Sequence, residues 1–259
     1  DQFLKELVSR IAEANTAFAS EMMRAEVVHI HESDPHQIAN FLGGLDPIAV
    51  DGVAIMAPES PQVRDAQARL MERGIHAVAI ISGQVTTGDE DFVGIDNRAA
   101  GATAGRLMGR FADGRPGNIL VVAETMHSRD SLERRLGFDE IINKDYQYLT
   151  VLPSLETHGD QERTERIVRS SLASQRSLAG IYILSSEARL PLEIIARMGE
   201  LDKPVIVAHE RTPFTESALL ASQIDALITQ DPGHLVRSAI RLLKARCDRR
   251  DVIASQEKI

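Results

Sequence analysis

The feature that most constrains this chain is a series of short apolar runs, rich in valine and isoleucine, that alternates with segments of helical pattern. The runs are "EVVHIH", "DGVAIMA", "IHAVAII", "NILVVA", "YLTVL", "GIYIL", "PVIVAH" and "DALIT". Each is almost continuously apolar over the length of one strand, which is how strands covered on both faces by helices read. Helical patterns lie between them at 61–73, 97–111, 129–143, 161–175, 191–200, 213–222 and 232–246. Three of these open on a capping residue followed by proline: Ser60-Pro61, Thr212-Pro213 and Asp231-Pro232. Proline's fixed φ suits the first helical position, and its missing N–H costs nothing there. Strand and helix in strict alternation imply an α/β fold with parallel sheets. Eight such runs in 259 residues fit two doubly wound sheets or one barrel.

The chain opens directly on an amphipathic helix, with Phe3, Leu4, Leu7, Ile11, Phe18 and Met22 on one stripe. An α/β domain normally opens on a strand, so a strand is expected upstream of the residues given. Further along, "FADGRPGN" (111–118) places two glycines, a proline and an aspartate between a helix and a strand. That is the composition of a plain loop or of a crossing between two lobes. A hinge there would divide the chain into halves of similar content, with a ligand between the strand ends of both.

Several function classes are excluded. The formal net charge is −9, from 29 basic and 38 acidic residues, so this segment lacks the basic face of a module that grips phosphates by itself. The single cysteine, Cys247, rules out an intrachain disulfide framework and points to a reducing compartment. No apolar run approaches the ~18–20 residues of a membrane span. There is no GxGxxG or GxxxxGK[ST] phosphate cradle, no GxSxG elbow and no HExxH. "HIHE" (29–32) could be a metal pair, but alternate residues of a strand also make one half-exposed edge face, and no metal is expected. No cofactor is implied, and no catalytic residue is evident.

Open parallel sheets bind ligands beyond the carboxyl ends of their strands, so the polar residues there are the candidates. "IHAVAII" is followed by Ser82. "VGIDNR" brings Asp96 and Asn97 to a helix start, where one caps the helix and the other is left for a ligand. After "NILVVA" come His127 and Ser128, and then Arg134 and Arg135 in the helix, which are either solvated or a fork of donors at the crevice. "YILSSE" ends on Ser185, Ser186 and Glu187, and "VIVAHER" on His209, Glu210 and Arg211. Glu210 is either a ligand acceptor or a loop charge paired with Arg211. "ALITQDP" ends on Gln230 and Asp231, of which Asp231 suits the cap of the helix opened by Pro232. A ring of Asp, Arg, Glu, Gln, Ser and His suits a small ligand rich in hydroxyls.

In the order "VGIDNRAAGATAGRLM", "RRLGF", "PVIVAHERTP" and "ALITQDPGHLVRSAIRLL", these strand ends resemble the effector-binding core of LacI (lactose repressor-like) transcription regulators. That family shares its fold with periplasmic sugar-binding proteins. The resemblance covers nearly the whole chain. It implies a ligand carboxylate at Asp96, a grip on ligand hydroxyls at Arg134, three residues before Gly137, and a crossing between lobes at Gln230 and Asp231. Where the family places an aspartate after the later strand, this chain has Glu210, one methylene longer, so the pocket must differ. Aromatic residues make up 4% of the chain and tryptophan is absent, which leaves Phe3 as a stacking platform or as a core residue of the first helix.

The expected fold is therefore two Rossmann-like parallel-sheet lobes joined by a hinge, periplasmic-binding-protein-like of type I. The N-terminal lobe would comprise 1–115 plus 231–254 and the C-terminal lobe 116–230 plus 255–259, with the family's helix-turn-helix absent from this chain. The expected ligand residues are Phe3, Ser82, Asp96, His127, Ser128, Arg134, Ser185, Glu210 and Gln230. The resemblance implies a cytoplasmic homodimer that binds a sugar or polyol effector between its lobes and contacts operator DNA through the missing domain, without catalysis and without a membrane. The alternatives are a periplasmic sugar-binding protein of a transport system and an α/β enzyme using His209 and Glu210.

Overall fold

The computed structural model describes residues 2–19, 23–30, 34–57, 59–82, 91–175, 177–185, 187–197 and 203–251. The chain divides into two compact units: a continuous one, Asn97–Thr229, and a discontinuous one, Gln2–Asp96 with Gln230–Ile259. Each has its own parallel sheet, so the barrel is excluded.

The continuous unit contains α4 (Asn97–Ala112), β4 (Gly117–Ala123), α5 (Arg129–Asp145), β5 (Leu149–Glu156), α6 (Gln161–Ser174), β6 (Leu178–Ile183), α7 (Arg189–Arg197), β7 (Val205–His209), α8 (Pro213–Leu220) and β8 (Ala226–Ile228). Its strands are ordered β5-β4-β6-β7-β8, all parallel. The apolar runs are continuous because each strand feeds two cores. Ile119, Val121, Tyr182 and Val207 join Met108 of α4 and Phe138 of α5 on one face, while Leu120, Val122, Ile181 and Ile206 join α6 and α7 residues on the other. The ends are set by the expected chemistry. Thr212 caps α8 by accepting from the Thr215 N–H, and the Thr215 hydroxyl accepts the Thr212 N–H in return.

The discontinuous unit contains α1 (Gln2–Ala17), α2 (Pro35–Gly43), β1 (Gly52–Ile55), α3 (Pro61–Glu72), β2 (His76–Ile80), β3 (Phe92–Val93) and α9 (Pro232–Cys247). Its described sheet is β1-β2-β3, parallel. Phe3, Leu7 and Ala14 of α1 pack with Val78, Val93 and the α9 residues Leu235, Val236, Ala239 and Ile240. Ser60 accepts from the Val63 N–H and Asp231 from the His234 N–H, so both expected caps are present.

The structure differs from expectation in three places. The boundary lies at Asp96/Asn97 and Thr229/Gln230, so α4 belongs to the continuous unit, whereas a division after Arg115 assigns it to the other. The reason is a helix contact made through glycine: a Cβ on Gly101 would overlap the Arg134 carbonyl, and one on Gly137 the Arg98 carbonyl. Helices α4 and α5 therefore meet backbone against backbone, and "FADGRPGN" is the short loop between α4 and β4, turned by left-handed Asp113 and Gly114. Second, residues 26–30 of "EVVHIH" form no strand, and Val28 is 55% exposed. Third, α2, capped by Asp34, was not among the expected helices. Met22, Ser186, residues 198–200 of the expected helix, 255–259 of the expected lobe, and His31 and Glu32 of the metal pair lie outside the described residues; His29 is exposed. Among the described residues no helix is long and apolar enough to cross a membrane, and no cluster of His, Cys, Asp or Glu is placed to hold a metal ion.

Candidate functional site

In the continuous unit the strand ends converge on one buried cation. Arg134 enters α5 one turn from its start and is 2% exposed. Its Nε donates to Asn97 Oδ1 at 2.8 Å, its Nη1 to the Leu184 carbonyl just past β6 at 3.0 Å, and its Nη2 to Glu210 Oε1 just past β7 at 3.0 Å. The glycine contact fixes the helix backbone at Arg134 against α4, whose first residue is that same Asn97. Both side chains of the ion pair are 3% exposed. Desolvating a cation and an anion costs several kcal/mol each, and only a full set of hydrogen bonds offsets it, which the Asn97 and Leu184 oxygens help to supply.

Glu210 is held at φ +64°, a left-handed conformation that costs a non-glycine residue about 1–2 kcal/mol. Its N–H bonds the Ile228 carbonyl at 2.9 Å and its carbonyl accepts the Thr215 hydroxyl at 2.9 Å, so both backbone groups hold the turn. The sequence left open a pairing of Glu210 with Arg211, but Arg211 sits 3.6 Å from Glu216 in an exposed pair.

Below this pair lies His209, fully buried, with Nε2 2.8 Å from the Tyr182 hydroxyl. Burial, and secondarily the Arg134 charge, hold its imidazole well below the usual histidine range, so it is neutral. Burial likewise pushes the Tyr182 phenol up.

The remaining candidates of this unit are more peripheral. Ser185 is buried, its hydroxyl 3.4 Å from the Glu187 carbonyl. Ser128 occupies the N-cap position of α5 but makes no side-chain cap bond. His127 is 89% exposed, with Nδ1 3.1 Å from the Thr125 hydroxyl and 4.0 Å from Glu156.

In the discontinuous unit, β2 runs into Ile81 at φ +66° and then Ser82. The Ser82 N–H turns back onto the Ile80 carbonyl at 2.7 Å, and its Oγ is buried without a hydrogen-bond partner. Asp96 is exposed. Gln230 is buried, and Asp231 caps α9, with the His234 N–H holding its carboxyl below the usual range. Phe3 is buried in the core cluster of α1 and α9.

Among the expected site residues the structure brings Arg134 and Glu210 into direct contact. Sequence reasoning left open which of Asp96 and Asn97 caps the helix, named Asp96 as the ligand residue, and passed over Tyr182. A signal for Tyr182 was present: the lone phenol in "GIYIL" must find a partner in a buried strand, and "VIVAH" ends on one.

A family model described as periplasmic binding protein domain matches residues 24–251. The chain is similar in structure to an ABC transporter periplasmic solute binding protein from Actinobacillus succinogenes 130z with bound D-allose, with a TM-score of 0.87 and 13% identity over 98% of this chain and 90% of that one. It is similar also to a solute binding protein from Burkholderia graminis C4D1M in complex with D-arabinose, at a TM-score of 0.83 and 21% identity over 95% and 86%. A glucose-galactose binding protein from Geobacillus stearothermophilus gives a TM-score of 0.83 and 17% identity over 96% and 89%. No curated protein matches the sequence.

Proposed function

The chain belongs to the periplasmic binding protein domain family, and on that premise we propose that it binds a small, neutral, polyhydroxylated ligand of the sugar class. The carrying observation is the buried Arg134–Glu210 pair at the strand ends of the continuous unit. Arg134 can only donate and an ionised Glu210 can only accept, whereas a sugar hydroxyl does both and can bond to each. The pair sums to zero charge, so an anionic ligand meets the carboxylate and a cationic one the guanidinium, each in a site of low dielectric. Glutamate where the LacI-like regulators place an aspartate carries the carboxylate one methylene further out, which favours a smaller or differently placed polyol.

Capture of a solute for a transporter is the better supported use of such a site, because similar structures are solute-binding proteins of ABC transporters with bound sugars. The effector-sensing reading, with its dimer, its operator DNA and its cytoplasmic setting, rests on the order of the strand-end motifs. A helix-turn-helix encoded directly ahead of Asp1 would decide for sensing, and a secretory leader for transport.

The test is calorimetric titration with D-allose, D-arabinose, D-glucose and D-galactose, beside a sugar acid and a sugar phosphate. A neutral sugar should bind, and Glu210→Gln should weaken it by ~1–3 kcal/mol, the scale of a charge-assisted hydrogen bond. Binding of the anionic sugars alone would overturn the proposal.

A further inference from the structure

Three elements of the continuous unit each contribute to two successive layers. Helix α5 supplies Arg134 and, one turn on, Phe138; β6 supplies Tyr182 and, just past its end, the Leu184 carbonyl; β7 supplies His209 and, just past its end, Glu210. The first layer is the ion pair with its bond to Leu184. In the second, the Phe138 and Tyr182 rings stack at 4.3 Å and 18°, and the Tyr182 hydroxyl meets His209 Nε2 at 2.8 Å. All three side chains of this second layer are fully buried.

A phenol and an imidazole are poor choices for the core if packing is all they do. The same face of the sheet is built from Ile119, Val121, Val205 and Val207, which carry no polar atom to satisfy. The pair is also imperfectly satisfied, since His209 Nδ1 has no hydrogen-bond partner. Of the two neutral tautomers, one has Nε2–H donating and leaves both the Tyr182 O–H and Nδ1 without partners. The other has the Tyr182 O–H donating to Nε2 and leaves only the Nδ1–H, so it is preferred. His209 is thereby fixed in ring orientation, and the next residue along is Glu210 in its left-handed turn.

We propose that Tyr182 and His209 are positioning residues for the Arg134–Glu210 site. The Tyr182 hydroxyl locks His209, His209 sets the backbone that aims Glu210 at Arg134, and Phe138 ties the same phenol to the helix that carries Arg134. The affinity part of this role rests on the sugar-binding reading above; the geometric part does not.

Tyr182→Phe keeps the ring stack and removes only the hydroxyl. Two readouts apply to the whole chain. The first is affinity for whichever of D-allose, D-arabinose, D-glucose and D-galactose the unaltered protein binds, which should fall about tenfold, the effect of one hydrogen bond. The second needs no ligand: the Arg134 Nη2–H proton that bonds Glu210, identified in nitrogen-resolved NMR by its loss in Arg134→Lys, should exchange with solvent faster once Glu210 is no longer aimed. If Tyr182→Phe melts at lower temperature yet keeps both the affinity and the slow exchange, the pair is core packing and the proposal is overturned. If the variant does not fold, Tyr182→Phe combined with His209→Leu removes both polar partners, and the same readouts decide. If the unaltered chain binds no sugar, the functional reading fails and the exchange rate alone decides this one.

Discussion

In the continuous unit β7 runs into Glu210, at φ +64°; in the discontinuous unit β2 runs into Ile81, at φ +66°. Neither residue is glycine, and a β-branched isoleucine is seldom found in that region. Both strands turn the same way as they leave the sheet, but the bonds made beyond the turn differ. Glu210 has its N–H on Ile228, its carbonyl on Thr215 and its side chain on Arg134. Ser82, after Ile81, closes a tight turn on Ile80 and leaves a buried hydroxyl without a partner. Strained strand ends aim side chains in both units, but in the continuous unit the turn is held by an ion pair and two backbone bonds and leaves His209 Nδ1 unpartnered one residue back, whereas in the discontinuous unit the unpartnered group is the aimed hydroxyl itself, at a cost of about 1–3 kcal/mol.

The largest effect is expected from breaking the ion pair. Arg134→Ala removes the guanidinium that faces the buried Glu210 carboxylate and should remove ~3–5 kcal/mol of stability by thermal unfolding, along with sugar binding. Arg134→Met with Glu210→Leu should recover most of the stability and none of the binding; a single variant as stable as the parent would show that the pair is not buried in solution. Next comes the helix contact behind Arg134. Gly101→Ala drives a methyl into the Arg134 carbonyl and should cost ~2–3 kcal/mol in denaturant unfolding, against a few tenths for a surface change.

Acid should act on the continuous unit through His209. Its folded-state pKa is depressed, so the unfolded chain binds the proton first. Stability is then fully present above the unfolded value of ~6.5 and is lost as the pH falls below it, at up to ~1.4 kcal/mol per pH unit. Melting curves from pH 8 to 5 should show that slope, and it should vanish in His209→Gln. The smallest effect distinguishes the other unit: Ser82→Ala removes an unsatisfied hydroxyl, so it should raise stability by ~0.5–1 kcal/mol while weakening ligand binding. A loss of stability would mean that this hydroxyl has a partner in solution.

How much of this was legible in the sequence can be seen residue by residue. The strand runs could be read because burial on two faces leaves no polar alternation to confuse, and the proline-marked caps because one residue and its successor suffice. Arg134 stood out through "RRLGF", and three letters of that motif now have a cause: a donor fork at Arg134, a glycine at 137 where Arg98 O passes, and a phenylalanine at 138 stacked on Tyr182. The boundary was misplaced because the glycines of "NRAAGATAG" were not read as one half of a close helix contact, whose other half lies over thirty residues away. The choice between Asp96 and Asn97 stayed open for the same reason, since the Arg134 partner of Asn97 is 37 residues distant. "EVVHIH" shows the converse: its pattern suits a strand, yet what decides pairing is a neighbour to bond with, which a local pattern does not specify.

The return of α9 to the unit that α1 begins also bears on how the protein is made. Every residue of the continuous unit has been synthesised once Thr229 is added, so that unit can condense while the ribosome is still working. The core of the other unit joins Phe3 to Leu242, and must wait with its apolar faces uncovered until the last helix emerges. The order of birth is thus the reverse of the order of the chain, and nascent chains halted after Thr229 should yield a protease-resistant fragment beginning near Asn97 and none containing α1.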